Sequence, residues 1–256
     1  MIPVPVFPGA HLAFDALAWG GGALFGLGLR RSWLAETARR VSPGLGPGYY
    51  LALAVGAVAG AWLAGSLNTL AQDRPVLSHS VAGALVGAIA AVETYKAVKG
   101  LRGSTGVLWV GPFALGIVIG RWGCLLTGLK DNTFGTPTRL PWGVDLGDHV
   151  ARHPVQVYES LAVAGFLVLW LVALRRGSDW ALRRSFYVFC LWYGVQRFAW
   201  EFLKPYPRLI GPLNLFHGLT LGLIAYGWIC YRADLARQQR EEGRALSVPG
   251  PDHQPV

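Results

Sequence analysis

Two arginines, Arg121 and Arg197, lie inside long apolar segments of the chain. A charged side chain at membrane depth is costly, so each arginine needs a polar cavity or a charged partner. The planar guanidinium binds phosphate oxygens through two parallel hydrogen bonds, and two such groups facing one cavity would clamp a phosphate. The alternative is that each arginine pairs with a nearby carboxylate and only fixes helix packing.

The residues around the two arginines favour the phosphate hypothesis. Gly120 and Gly123 flank the first arginine, and glycine lets a ligand approach the backbone closely. Tyr193 precedes the second arginine by four residues and Glu201 follows it by four, which puts all three on one helix face. We therefore expect the glycines and Glu201 to help bind substrate. Glu201, one turn beyond Arg197, is also predicted to pair with an arginine.

The loop 129–156 ends in polar residues that enter the next apolar segment, where Pro154 suits the start of a helix. The loop is long enough to cover a site, although Trp142 and Asp148 are equally typical of an ordinary membrane interface. The candidate substrate-binding residues of this region are His153, Gln156, Tyr158 and Glu159.

The composition indicates an integral membrane protein. Residues of the AVILMFWYC set make up 53% of the 256 residues, charged residues only 14%, and the mean hydropathy is +0.38. Soluble domains carry roughly 25% charge, so this chain lacks the polar surface of a water-exposed globule. The net charge of +9 would also suit a nucleic-acid partner, but the apolar excess favours the membrane and no nucleic acid.

We predict an all-α, multi-pass membrane protein with about seven spanning helices, because each apolar stretch approaches the 20 residues needed to cross a bilayer. No Lys or Arg precedes the first stretch, so we expect it to be retained rather than cleaved as a signal peptide. The predicted spans are 10–29, 48–66, 77–95, 107–128, 157–174, 185–203 and 213–231.

The basic residues orient these spans. Fifteen of the 23 Lys and Arg fall on one side of the predicted membrane, six on the other, and two within the spans. The positive-inside rule therefore predicts the N-terminus outside and the C-terminus in the cytoplasm, with both intramembrane arginines in the outer parts of their spans. We expect a catalytic domain over 1–231, whose loop 129–156 is on the outer face, and a partly disordered polar tail over 232–256.

The cysteines and the spaced glycine pairs are interpreted as structural. Cys124, Cys190 and Cys230 form no disulfide framework and no metal-ligand spacing, so the sequence predicts neither a metal nor a cofactor. Cys124 is interpreted as a small thiol packed between helices, with a nucleophilic role as the alternative. Three glycine pairs spaced by four residues are interpreted as helix contacts, at 56–60, 83–87 and 116–120.

Four blocks, taken together, carry a family resemblance. They are 83–87 (GALVG), 120–123 (GRWG, then Gly128), 152–159 (RHPVQVYE) and 193–197 (YGVQR, then Glu201-Phe202). In order and spacing these blocks resemble the bacterial phosphatidylglycerol–prolipoprotein diacylglyceryl transferases.

The resemblance implies transfer of a diacylglyceryl group from phosphatidylglycerol to the lipobox cysteine thiol of a prolipoprotein. The reaction would occur at the outer face of the bacterial inner membrane and release glycerol phosphate. Arg121 and Arg197 would stabilise the phosphate leaving group. Tyr193 matches a tyrosine important in the family and would orient substrate or relay a proton. The implied partners are phosphatidylglycerol, the lipobox peptide and the bilayer.

The chain departs from the family pattern at several positions. Ala82 stands where the family usually has a histidine proposed as the base, and His79, nearly one helical turn earlier, is the candidate substitute. Cys124, Thr127 and Leu129 replace residues that are usually Asn, Asn and Glu. These departures leave two alternatives: a related membrane enzyme that uses another lipid or acceptor, and a non-enzymatic lipid transporter or binding protein.

Overall fold

The computed structural model describes residues 1–70 and 77–247. Within these ranges the chain forms eight α-helices and one pair of two-residue strands, β1 (Ile2–Pro3) and β2 (Val144–Asp145). The helices are α1 (Ala10–Arg31), α2 (Ala35–Val41), α3 (Pro47–Thr69), α4 (Val81–Lys99), α5 (Val107–Thr127), α6 (Val155–Arg175), α7 (Ser185–Glu201) and α8 (Leu215–Ser247).

Each of the seven predicted spans coincides with a helix, and the short α2 is additional. Five of the described helices, α1, α3, α4, α5 and α6, are long and apolar enough to cross a membrane. α7 has only 17 residues, and α8 joins an apolar first half to a charged second half. The predominantly helical, membrane-type architecture is therefore confirmed, whereas the count of seven crossings stays a prediction.

The outer surface of the bundle is apolar. On α1, Leu12, Trp19 and Leu24 are 76%, 79% and 73% exposed. Apolar side chains this exposed over a long helix are typical of a surface that contacts lipid or another protein rather than water.

α3 and α4 pack closely through glycines. A Cβ atom on Gly60 would lie 2.3 Å from the carbonyl oxygen of Gly83, and one on Gly87 would lie 2.2 Å from that of Gly56. The backbones touch only because these positions lack side chains, so the two predicted contact patterns on α3 and α4 are confirmed.

Gly116 and Gly120, the third predicted helix contact, lie only loosely against α1. A Cβ atom at either position would be 3.9–4.0 Å from Ala18, and both residues also line a cavity. α1 and α5 approach each other more closely through Gly22 and Gly26, which lie against Pro112 inside α5. The two glycines of α5 therefore keep a wall of the cavity open.

The N-terminal residues attach to the loop between α5 and α6. The amide of Ile2 donates to the carbonyl of Gly143 at 2.8 Å, and the amide of Val4 donates to that of Asp145 at 3.0 Å. β1 and β2 pair in parallel, which is a small departure from the expected all-α fold.

The last helix continues well past the predicted end of the transmembrane domain at residue 231. α8 runs to Ser247 and so includes the first part of the segment 232–256. Residues 248–256, which include the rest of the predicted tail, lie outside the described residues.

Neighbouring helices run in opposite directions, which gathers alternate helix ends at one side of the bundle. The hydroxyl of Ser160 in the second turn of α6 donates to the carbonyl of Val118 in the second half of α5, for example. We call this side the site end. It comprises the first turns of α1, α4, α6 and α8 and the last turns of α3, α5 and α7.

The glycine contact between α3 and α4 generates a stability prediction. Gly60→Ala forces a Cβ against the Gly83 backbone and should lower the free energy of unfolding by about 1–3 kcal/mol, the usual cost of overpacking. Gly20→Ala is the matched control, because a Cβ at Gly20 meets nothing within 4 Å. Thermal unfolding in detergent measures both variants, and equal melting temperatures would contradict the close contact.

Candidate active site

Glu159, one turn into α6, joins three helices and is 1% exposed. Its Oε1 lies 2.9 Å from Nη2 of Arg121 and accepts a 3.1 Å hydrogen bond from the Tyr193 hydroxyl. Its Oε2 accepts a 2.6 Å hydrogen bond from Nη1 of Arg197. One buried carboxylate therefore holds side chains of both α5 and α7.

Glu201, one turn after Arg197, supplies a second buried carboxylate. Its Oε1 lies 2.7 Å from Nη2 of Arg197 and 3.4 Å from Nζ of Lys204. Asn214 donates to the other carboxylate oxygen at 3.2 Å and also accepts from the His217 amide, which caps the start of α8. The predicted pairing of Glu201 with an arginine is confirmed.

The cluster carries more positive than negative groups. Arg121, Arg197 and Lys204 face two carboxylates through the ion pairs described above. Burial, together with the nearby charge of Arg197, lowers the pKa of the Lys204 ammonium to about 8. Below that pH the cluster has one positive charge in excess. Within the described residues the Nε of Arg197 has no hydrogen-bond partner.

A cavity of about 800 Å³ runs between the α1–α5 pair and the α3–α4 pair. Apolar side chains such as Leu53, Leu85 and Ile117 form most of its wall, and Arg121 and Arg197 line it at the site end. Its volume falls within the range of ligand-binding cavities, roughly 300–1,000 Å³. Each arginine therefore pairs with a carboxylate, as the packing interpretation predicts. Each also faces the cavity, and the phosphate interpretation stays a prediction.

Of the other candidates on or next to α4, α5 and α7, some line the cavity and some lie in contacts between helices. Gly120 and His79 line the cavity. Gly123 does not, since a Cβ there would lie 2.6 Å from the Cβ of Phe14 on α1, so this glycine serves helix packing. Tyr193 is fully buried beneath the arginines and reaches Glu159 rather than the cavity.

The candidates from the loop and the start of α6 lie to one side of the cavity. His153 is 3.5 Å from the Tyr158 hydroxyl, which also accepts a 2.7 Å hydrogen bond from the Trp142 indole. Gln156 is buried and donates to the hydroxyl of Thr133 at 3.4 Å. Of these residues only Thr133 lines the cavity.

Three polar residues of the site end were not candidates from the sequence. His11 in the first turn of α1 and Asp131 after α5 both line the cavity, with His11 Nε2 3.0 Å from Asp131 Oδ1. Lys204 is 1% exposed beside Glu201. His11 and Asp131 are far apart in sequence, and Lys204 looks like an ordinary loop cation, so no local motif marks them.

Comparison with known proteins identifies the family. A family model described as prolipoprotein diacylglyceryl transferase matches residues 78–232, more than half of the chain. The chain belongs to this family. The matched residues include both cavity arginines, Tyr193 and the two buried carboxylates, whereas α1 with His11 precedes the match.

Individual members of the prolipoprotein diacylglyceryl transferase family are similar to this chain over part of their length. Proteins named phosphatidylglycerol–prolipoprotein diacylglyceryl transferase are 35% identical over 164 residues in Solidesulfovibrio magneticus and 31% over 151 residues in Methylococcus capsulatus. These alignments cover 59% and 57% of this chain, and 59% and 52% of the relatives. The match thus spans little more than half of each relative. No solved structure matches the chain.

The buried carboxylate of Glu159 generates a second stability prediction. Glu159→Gln keeps the shape but leaves two buried guanidiniums short of negative charge, which should lower the free energy of unfolding by about 3–5 kcal/mol. Glu36→Gln is the control, because Glu36 pairs with Arg39 on the exposed α2 and its loss should change little. Melting temperatures compare the two, and a Glu159→Gln protein as stable as the original would contradict the account.

Proposed function

We propose that this chain transfers a diacylglyceryl group from phosphatidylglycerol to the lipobox cysteine thiol of a prolipoprotein. The names of the relatives provide the donor and the acceptor class. The observation that carries the proposal is the pair of guanidiniums, Arg121 and Arg197, at the polar end of a large apolar cavity. A lipid with two acyl chains and an anionic headgroup has the matching distribution of polarity.

In the proposed reaction the acceptor sulfur bonds to the glyceryl carbon as the bond from that carbon to the phosphate oxygen breaks. Glycerol phosphate leaves with the electron pair, and the thiol proton passes to a base. Arg121 and Arg197 bind the phosphate and stabilise the charge that it gains. The excess positive charge of the cluster favours the anionic headgroup.

The remaining candidates receive supporting roles in this proposal. Tyr193 positions Glu159, which in turn positions both arginines. Glu201 restrains Arg197, and Gly120 leaves room for the headgroup. His79, on the cavity wall, is the candidate base.

The loop candidates are proposed to shape the entrance for the acceptor peptide. The Tyr158 hydroxyl contacts His153 and accepts the hydrogen bond of the Trp142 indole, which fixes this part of the loop. Gln156 links α6 to Thr133. Gly123 enters the proposal only as the close contact that sets α1 beside α5.

For the membrane arrangement we propose seven crossings, the N-terminus outside, the C-terminus in the cytoplasm, and the site end at the outer face of the bacterial inner membrane. The distribution of basic residues supports this orientation, because the opposite end of the bundle carries most of them, including Arg30, Arg31, Arg175 and Arg176. The catalytic domain is proposed as 1–231 and the cytoplasmic segment as 232–256.

Ala82 favours a second candidate, a related enzyme that transfers the lipid group to a different acceptor. The family usually has a histidine here, whereas Ala82 is a small side chain, 1% exposed. A change of the base would suit an acceptor of different acidity.

Transfer of labelled diacylglyceryl from phosphatidylglycerol to a lipobox peptide by the purified protein tests the proposal. Arg121→Ala removes one guanidinium, and Arg197→Lys replaces the other with an ammonium that cannot reproduce bidentate phosphate contacts. Each variant should therefore lower the transfer rate by about a hundredfold or more. Arg184→Lys is the matched control: Arg184 is a buried arginine at the other end of the bundle, paired with Asp179 and Asp234.

Full transfer by an Arg121→Ala/Arg197→Ala double variant would contradict the phosphate role of the arginines. Lipid cleavage without transfer to the lipobox peptide would favour the second candidate. Movement of labelled lipid between leaflets without a covalent product would favour a transporter.

A further inference from the structure

Three chemically different donors meet at the site end of the cavity. His11 comes from the first turn of α1, Cys124 from the last turn of α5, and Asp131 from the short turn that follows α5. His11 Nε2 lies 3.0 Å from Asp131 Oδ1 and 4.0 Å from Cys124 Sγ, and all three donor atoms lie within 4.8 Å of one another. Within residues 1–70 and 77–247 this is the only such group of three.

The surroundings of the group are those of a built site rather than of a surface cluster. Cys124 is 8% exposed, and the side chain of Asp131 is 7% exposed. All three residues line the cavity, so a bound ion would keep one side open to a ligand.

A fourth residue orients the histidine. Nδ1 of His11 lies 2.8 Å from Oδ2 of Asp15, one turn further along α1. A hydrogen bond from Nδ1–H to this carboxylate leaves the Nε2 lone pair facing Cys124 and Asp131. Carboxylates commonly hold metal-binding histidines in this way.

We propose that His11, Cys124 and Asp131 form a binding site for a zinc ion. Zinc accepts imidazole nitrogen, thiolate sulfur and carboxylate oxygen together, with bonds of roughly 2.0–2.3 Å. Neighbouring ligands of a tetrahedral ion with such bonds are about 3–4 Å apart, which matches the 3.0 Å between His11 and Asp131 and the 4.0 Å between His11 and Cys124. Three protein ligands and a fourth position open to a cavity are typical of catalytic rather than structural zinc.

Arg121 fits this assignment. Its Nη1 lies 3.7 Å from Cys124 Sγ, so an N–H group points to the sulfur that must lose its proton when the ion binds. The second nitrogen of the same guanidinium contacts Glu159, which compensates its positive charge beside the ion.

The open position suggests a use for the ion that rests on the proposed function. A thiol that binds to zinc gives up its proton and becomes a thiolate, the nucleophilic form. The proton would pass to the candidate base His79, whose ring centroid lies 5.5 Å from that of His11. A lipobox thiol bound there would thus be activated next to the phosphate-binding arginines, in a chain that has Ala82 in place of the usual histidine. Binding of the ion itself does not depend on this use.

Cobalt(II) titration of the full-length protein, purified in detergent with a tag free of histidine, tests the site. We expect one ion per chain, sulfur-to-cobalt charge-transfer absorption and the visible bands of tetrahedral cobalt, all displaced by zinc. Cys124→Ser and His11→Ala should lose the absorption. Asp15→Asn should weaken binding by about tenfold to a hundredfold, the usual effect of removing the residue that orients a ligand.

Cys230→Ser is the matched control, because Cys230 is only half-buried and is the more accessible alternative source of a thiolate signal. It should keep the full absorption. Absence of the absorption in the unaltered protein, or its persistence in Cys124→Ser, would overturn the proposal.

A zinc-dependent rise in melting temperature provides a readout that needs no thiolate signal. It should occur in the unaltered protein and require a higher zinc concentration in Asp15→Asn. An equal rise at the same zinc concentration in the unaltered protein, Cys124→Ser and His11→Ala would also overturn the proposal. Failure of lipid transfer with cobalt bound would contradict the proposed function and leave the ion site intact.

Discussion

The bundle depends on how it accommodates the charge of Glu159. A carboxylate that is 1% exposed inside an apolar bundle is strongly unfavourable unless it is paired and hydrogen-bonded. Glu159 meets this requirement with Arg121, Arg197 and Tyr193, and these partners belong to α5 and α7. The same contacts that neutralise the carboxylate also set two guanidiniums side by side against the cavity. Stability and site geometry therefore rest on one set of ion pairs.

The cavity exists because the helices pack tightly in pairs and loosely between pairs. Glycines join α3 to α4 and α1 to α5, and the space between the two pairs stays open. Gly116 and Gly120 show the distinction: their spacing is that of a helix contact, yet they face the cavity. A glycine pattern indicates a strip of helix surface without side chains. Whether this strip contacts another helix or lines a cavity depends on how closely the neighbouring helix packs.

The sequence predicted the helices and the central arginines well. Apolar stretches of nearly membrane-crossing length coincide with helices, because hydrophobicity and length are local properties. Arg121 and Arg197 were recognised because charge is rare in such segments. By contrast, His11 and Cys124 are 113 positions apart and meet only through the packing of α1 on α5. Nothing local in the sequence could have indicated that contact, nor the burial of Lys204 beside Glu201.

We propose that the arginines held by Glu159 form an anion site at the end of a lipid cavity. Native mass spectrometry of the purified protein, titrated with phosphatidylglycerol or with diacylglycerol, tests this most directly. We expect one tightly bound phosphatidylglycerol, whose affinity falls sharply in the Arg121→Ala/Arg197→Ala protein, whereas diacylglycerol should bind both proteins equally. Equal retention of phosphatidylglycerol by the two proteins would contradict the proposal.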